Sequence, residues 1–378
     1  MNHKKKIAII LFNLGGPDKL SSVKPFLFNL FNDFAIINWP QPFRFLLARF
    51  ISSRREKKSQ KIYAQIGGKS PILDISEAQA HALEKELSFF GDFKVFVSMR
   101  YWHPMSQQVI KNIFSYQPER LILLPLYPQF SSTTTASSFT DFLEKFSAEK
   151  KKRNVEIVVQ QVCCYFEEPE FILAHAKLVK KTIARFYDNL QDLRLLFSAH
   201  GLPKKLIDQG DPYVFQIEKT AEKIVENLQQ LLQKEGHYPK NSSINLVENK
   251  PDLIKFDTKV CYQSKVGPLE WTGPSLENEI RRAALDKKIP VIIPVSFVSE
   301  HSETLVELDI DYRNLAKTLG IRDYLRVPAL NTDGDFIQSL VEICKKVSTS
   351  EGEIFSGCEA KRACGSKFKM CCNNSINT

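Results

Sequence analysis

The sequence predicts an α/β protein of two similar Rossmann-like domains, each a four-stranded parallel sheet flanked by helices, with the active site in the cleft between them. Apolar runs of strand length alternate with longer amphipathic segments along the whole chain, as successive βα units require. Four such runs precede about residue 188 and four follow it. The length of 378 residues suits two domains at roughly 100–200 residues each.

In chain order, the first strand is the apolar run Ile7–Leu14, closed by Gly15-Gly16-Pro17. Helical spacing over Ala78–Leu87 leads to a strand at Lys94–Met99, and Pro104–Phe114 leads to Leu121–Leu124. Ser138–Phe146 precedes the strand Val155–Val162, and Pro169–Tyr187 precedes Arg194–Ser198. Val214–Gln233, Leu276–Asp286 and the segment after Ser299 separate the strands Lys259–Cys261, Val291–Val295 and Tyr324–Val327. Right-handed crossovers turn the carboxyl ends of all these strands toward the ligand. The domains are read as 1–188 and 189–347, with 348–378 as a Cys-rich appended tail. Charged Glu149–Asn154 and the polar stretch from Gly236 to about Asp257 read as solvated loops.

Lys+Arg 52 against Asp+Glu 43 gives a net charge of +9, dispersed along the chain without a basic and aromatic module, which disfavours nucleic acid as a partner. The first strand runs into Gly-Gly-Pro instead of G-x-G-x-x-G, which disfavours a dinucleotide. No run approaches the roughly 20 apolar residues of a membrane span. The segment after Lys4-Lys5-Lys6 is too short for a signal peptide and lacks a cleavage site, so a cytoplasmic, bacterial protein is expected. Of eight cysteines, Cys358, Cys364, Cys371 and Cys372 fall in the last 21 residues. In a reducing compartment that clustering reads as either a metal or iron–sulfur ligand set or a basic tail with idle thiols.

Two segments carry chemistry. Leu195-Leu196-Phe197-Ser198-Ala199-His200-Gly201-Leu202-Pro203 is a buried strand that ends on a histidine before a Gly/Pro turn, which delivers an imidazole to the ligand side of the sheet. After the strand Val291–Val295, a helix is expected from Ser299 as N-cap, carrying His301 and then Glu303, Glu307 and Asp311 at i, i+4, i+8. Three carboxylates on one helix face without interleaved lysine repel unless solvated, protonated or bound to cations. Beginning at a strand's carboxyl end, the stripe reads as a proton or metal path. Between Phe34 and Arg55, apolar Trp39, Phe43, Phe45, Leu46 and Phe50 sit beside Arg54 and Arg55, a pattern that suits either a membrane interface or a buried helix.

The chain resembles the ferrochelatases, of bacterial type, which insert ferrous iron into a porphyrin at the end of haem synthesis. The resemblance covers about residues 7 to 345. It rests on Leu11-Phe12-Asn13-Leu14-Gly15-Gly16-Pro17, Ile66-Gly67-Gly68-Lys69-Ser70-Pro71, Arg100-Tyr101-Trp102-His103-Pro104 and Tyr127-Pro128-Gln129-Phe130-Ser131. Further matches are Ser198 to Pro203, Gln263-Ser264-Lys265-Val266-Gly267-Pro268, Trp271-Thr272-Gly273-Pro274 and His301-x-Glu303-Thr304-Leu305.

The resemblance implies a lyase that places Fe²⁺, its substrate metal, in protoporphyrin IX to give protohaem and two protons. It implies His200 and Glu303 as the pair handling metal entry and N–H deprotonation, with Glu307 and Asp311 extending an acidic path. It implies Leu14, Arg55, Tyr63, Ser70, Arg100, Tyr101, Ser131 and Trp271 as porphyrin contacts, Arg100 being equally suited to a structural ion pair. It also implies peripheral contact with the membrane surface, at the inner face of the plasma membrane, and contacts with haem-pathway proteins. Animal relatives hold a [2Fe–2S] cluster through one internal and three C-terminal cysteines, but the internal position here is Ser132. A cluster would then draw on Cys358, Cys364, Cys371 and Cys372, or on Cys163 or Cys164. A chelatase for another metal or tetrapyrrole, or a non-catalytic haem or metal carrier, remains the alternative.

Overall fold

The computed structural model describes residues 5–236, 244–245, 250–251, 254–265, 267 and 269–373. Most of the polar stretch from Gly236 to Asp257, and Val266 and Pro268 of the motif beginning at Gln263, lie outside the described residues. In chain order the strands are β1 (Lys6–Asn13), β2 (Asp92–Met99), β3 (Arg120–Pro125), β4 (Val158–Cys164) and β5 (Leu193–His200), then a two-residue ribbon β6 (Ile244–Asn245) and β7 (Lys250–Pro251). They continue as β8 (Asp257–Gln263), β9 (Ile289–Pro294), β10 (Leu325–Arg326) and β11 (Ile354–Ser356). The helices are α1 (Val23–Phe31), α2 (Phe43–Ala64), α3 (Ile72–Leu87), α4 (Ser106–Tyr116), α5 (Ser137–Arg153), α6 (Pro169–Ile183), α7 (Lys204–Asp208), α8 (Tyr213–Lys234), α9 (Leu276–Leu285), α10 (Tyr312–Thr318) and α11 (Gly334–Thr349).

Two parallel sheets result, ordered β11-β4-β3-β1-β2 and β10-β9-β5-β8. All eight strands read from the sequence are present. β1, β5 and β9 are central and flanked by strands on both sides, so both of their faces are buried and their sequences are mostly apolar. Alternate residues serve different cores. Ile9 and Leu11 of β1 share one cluster with Leu195 and Phe197 of β5 and Val291 and Ile293 of β9, so a single core runs between the two sheets. Ala8, Ile10 and Phe12 turn to the other face, against Ile110 of α4 and Phe142 and Phe146 of α5.

Four differences from the sequence reading have physical causes. The first sheet gains a fifth strand, β11, which pairs parallel with β4 and covers an edge that would otherwise expose its amides. Three residues, of which only Phe355 is fully buried, leave no periodicity to detect, so this part of the tail was unreadable as structure. Residues 149–153 are not loop but the last turns of α5, where Lys150 to Arg153 complement the helix dipole before a left-handed Asn154. Ser299 does not cap a helix. Its hydroxyl donates to Gln79 Oε1 at 3.0 Å, and the acidic segment is a π-helix over Glu303–Asp311 entered from Ser302.

Candidate active site

The carboxyl ends of the strands gather the expected residues: Leu14 follows β1, Arg100 follows β2, Ser131 follows β3, His200 ends β5, and Glu303 follows β9. His200 Nδ1 and Glu303 Oε2 are 2.9 Å apart, with the two side chains 36% and 25% exposed. His301 approaches the same oxygen with Nε2 at 3.9 Å, while its Nδ1 faces the Ser299 carbonyl at 3.0 Å. Burial, the largest influence on Glu303, pushes its carboxyl up, but the neighbouring His200 and His301 together outweigh it and hold the group well below the usual carboxylate range. For His200, burial opposes protonation, and the charge and hydrogen bond of Glu303, aided by Glu307, reverse the balance and raise the imidazole above its ordinary value.

Glu307 follows one turn on. Burial and then the charge of Glu303 raise its carboxyl, although it accepts hydrogen bonds from the Ser264 N–H and hydroxyl. Asp311, at the end of the π-helix, is exposed. The three acids therefore run from a paired, part-buried carboxylate to solvent.

The remaining predicted contacts divide into two groups. Trp271 stands edge-on to His200 with ring centroids 6.3 Å apart, and a side chain at Gly201 would strike it. Tyr63, buried on α2, reaches across with its hydroxyl 3.5 Å from the Ser302 hydroxyl, just before Glu303. Leu14 is half-buried among the residues that seat α1 and α2. Ser70 is buried against Gly16, and Arg55 lies over the Phe31 ring at 5.7 Å.

Arg100, Tyr101 and Ser131 are engaged with buried acids. Asp33 Oδ2 accepts from Arg100 at 2.9 Å, from the Tyr101 hydroxyl at 2.6 Å and from the Ser137 hydroxyl. The Ser131 hydroxyl donates to Asp211 at 3.0 Å, and the same carboxylate oxygen accepts the Ser132 amide and hydroxyl, each at 2.8 Å. Asp33 escaped the sequence reading, and Asp211, in the Gly210-Asp211-Pro212-Tyr213 turn after the His200 segment, had no role assigned, because a lone aspartate far along the chain from its partners leaves no local pattern.

A cavity of about 820 Å³ lies between α8, β8 and the 270–274 segment. It includes Trp271 but neither His200 nor Glu303, so the chemistry, and not cavity size, marks the site. Phe34, Trp39, Phe43, Leu46 and Phe50 are exposed, the last three at helical spacing on one face of α2 with exposures of 61, 60 and 60%.

The thiols are redistributed relative to expectation. Cys364 and Cys371 of the tail pack with Phe368, while Cys372 joins Cys163, Cys164 and Phe166 at the end of β4. Hydrogen bonds from the Cys163 and Cys364 thiols pull Cys371 well below the usual thiol range. Cys358 turns elsewhere, its Sγ 3.6 Å from Glu168 Oε2. The Ser132 hydroxyl is held by Asp211.

Among the described residues, no helix is long and apolar enough to cross a membrane. A sequence model of the ferrochelatase family matches residues 6–348. Ferrochelatase of Rickettsia bellii (strain OSU 85-389) is 48% identical over 373 residues, covering 98% of this chain and 95% of that protein. Ferrochelatase of Pelagibacter ubique (strain HTCC1062) is 44% identical over 370 residues, covering 97% of this chain and 98% of the relative. Among solved structures, SirB from Bacillus subtilis with Fe3+ aligns over 91% of this chain and 96% of that one, at a TM-score of 0.47 and 10% identity. The family match over nearly the whole chain, together with relatives at this identity, establishes that the chain belongs to the ferrochelatase family of lyases.

Proposed function

We propose that this chain inserts Fe²⁺ into protoporphyrin IX, releasing two protons and yielding protohaem, the last step of haem synthesis. The observation that carries the reading is the 2.9 Å contact between His200 Nδ1 and a Glu303 held ionised at the strand ends. A neutral His200 that donates its Nδ1–H to Glu303 keeps the lone pair on Nε2 to accept a pyrrole proton. Glu303 then stabilises the imidazolium, as an orienting carboxylate does for any histidine base. The proton passes toward the higher-lying carboxyl of Glu307 and leaves at Asp311, which frees His200 to take the second.

The same imidazole and carboxylate form an N/O donor pair suited to a borderline divalent ion as Fe²⁺ sheds water. Trp271, Tyr63 and Leu14 form walls for a macrocycle bent so that its nitrogen lone pairs leave the ring plane. Arg55 is the cation for a propionate, whereas Arg100 and Tyr101, fastened to Asp33, hold the root of the 34–50 segment. That segment's exposed aromatic face, with Arg44 and Arg54 stacked on Phe34 and Phe50, suits the boundary of a membrane at which an apolar substrate is collected.

The gathered thiols fit a [2Fe–2S] cluster. Among the described residues no three donors converge on a point for one metal ion, but a two-iron cluster divides its thiolates between two irons and asks for a looser gathering. Cys163, Cys364 and Cys371, with Cys372 or Cys164, would hold it, and when bound it supplies a one-electron redox centre. Cys163→Ser or Cys371→Ser is expected to remove an iron–sulfur absorbance from anaerobically purified protein and Cys358→Ser to spare it; loss in Cys358→Ser alone overturns this ligand set.

The activity is tested by anaerobic Fe²⁺ insertion into protoporphyrin IX, followed as loss of free-porphyrin fluorescence. Turnover supports the reading. Porphyrin binding without turnover by the wild-type protein refutes it and indicates a carrier, or a chelatase for another metal or ring.

A further inference from the structure

We infer that Gln263 is a positioning residue that fixes His200 and Glu303 in one frame, an inference that rests on the metallation chemistry proposed above. Gln263 is the last residue of β8, 2% exposed, and pairs in register with His200 at the end of β5. Its carbonyl accepts the Gly201 N–H at 3.0 Å, so its backbone is bonded to the residue directly after the catalytic histidine. A Cβ at Gly201 would sit 3.2 Å from that carbonyl, a tight contact where the two strand ends approach each other.

The side chain then crosses to the other half of the pair. Gln263 Nε2 donates to the Glu303 carbonyl and to Glu307 Oε2, each at 3.2 Å, while Oε1 accepts from the Ser198 hydroxyl at 2.6 Å. Both amide protons and one acceptor lone pair are thereby used in a buried setting. The orientation of the amide is unambiguous, because the flipped form would set its oxygen against a carbonyl and a carboxylate. Ser198 lies on β5 two residues before His200 and is fully buried. A closed ring of contacts results: β5 to Gln263 through Ser198 and Gly201, and Gln263 to the first turn of the π-helix through Glu303 and Glu307. Gln263 has both amide protons committed to Glu303 and Glu307 and acts on the reaction through them. Its effect runs through the distance and angle between an imidazole and a carboxylate, where displacement of about 1 Å can lower a rate by about 10²-fold.

The test uses Gln263→Met, which keeps length and removes the amide, Ser198→Ala, which removes the amide's bond to β5, and the double variant. For Gln263→Met, kcat of Fe²⁺ insertion is expected to fall by about 10- to 100-fold with KM for protoporphyrin within about twofold. Ser198→Ala is expected to lower kcat by about three- to tenfold, the worth of one buried hydrogen bond. The double variant is expected to match Gln263→Met alone, because Ser198 acts only through the amide. Unchanged kcat in folded Gln263→Met, a loss carried by KM, or a double variant that multiplies the two single effects overturns the assignment. If Gln263→Met does not fold, Ser198→Ala decides by itself, and wild-type kcat there overturns it. A wild-type protein without turnover refutes the underlying activity and not the positioning, so the two failures are distinct.

Discussion

His175 on α6 makes a prediction about stability that is separate from the site. It is fully buried, both ring nitrogens lack a hydrogen-bond partner, and Phe171 stands edge-on at 4.9 Å. Burial alone lowers its pKa from 6.5 to about 3, so the folded protein holds it neutral. A group whose folded pKa lies below its unfolded value leaves stability intact above 6.5 and removes it as pH falls from 6.5 toward 3. At 1.36 kcal/mol per unit, acidification to pH 5 costs about 2 kcal/mol through this residue.

At pH 7.5 the neutral ring still carries an N–H and a lone pair without partners, a penalty of about 1–3 kcal/mol that an apolar side chain of similar volume avoids. His175→Leu is therefore expected to raise the urea midpoint at pH 7.5 and to widen its advantage by about 2 kcal/mol at pH 5. A variant less stable than wild type at pH 7.5, or an advantage that does not grow on acidification, refutes the reasoning.

Three other outcomes follow from the contacts. Because Glu303 raises His200, the imidazole is expected to titrate by NMR above 6.5 in the wild type and at lower pH in Glu303→Gln; an unshifted or upward-moved titration contradicts the pairing. Asp33→Ala removes the acceptor shared by Arg100, Tyr101 and Ser137 but leaves Arg100 paired with Asp141 at 3.4 Å, and is expected to cost about 1–3 kcal/mol of stability, read by urea denaturation, whereas a change under about 0.5 kcal/mol removes Asp33 as an anchor. Replacing Phe43, Leu46 and Phe50 together with Ser is expected to abolish flotation with anionic vesicles and leave the urea midpoint near wild type, since the three side chains bury little in the fold.

Eight strands and the histidine at the end of β5 were legible because a buried parallel strand is a run of apolar residues and its carboxyl end is a fixed place in the fold. The same logic could not reveal Gln79, whose amide donates to the Val298 and Asn331 carbonyls more than 200 residues away and pins the loop that carries His301. A glutamine in a helix has no period that distinguishes such a role from solvation. The π-helix was hidden too, because carboxylates at i, i+4, i+8 line up acceptably on either an α- or a π-helical turn. The gathering of Cys163 and Cys164 with the tail depended on β11 docking beside β4, and three residues carry too little pattern to announce it.

Binding separated from turnover tests the central claim most directly. Wild type, His200→Ala and Glu303→Gln are compared for porphyrin affinity by fluorescence quenching and for anaerobic Fe²⁺ insertion at saturating porphyrin. The pair acting as base and orienting carboxylate predicts affinities within about threefold of wild type and a loss of about 10²- to 10⁴-fold in insertion rate for each variant. A folded, porphyrin-loaded His200→Ala or Glu303→Gln protein that inserts iron at the wild-type rate contradicts it.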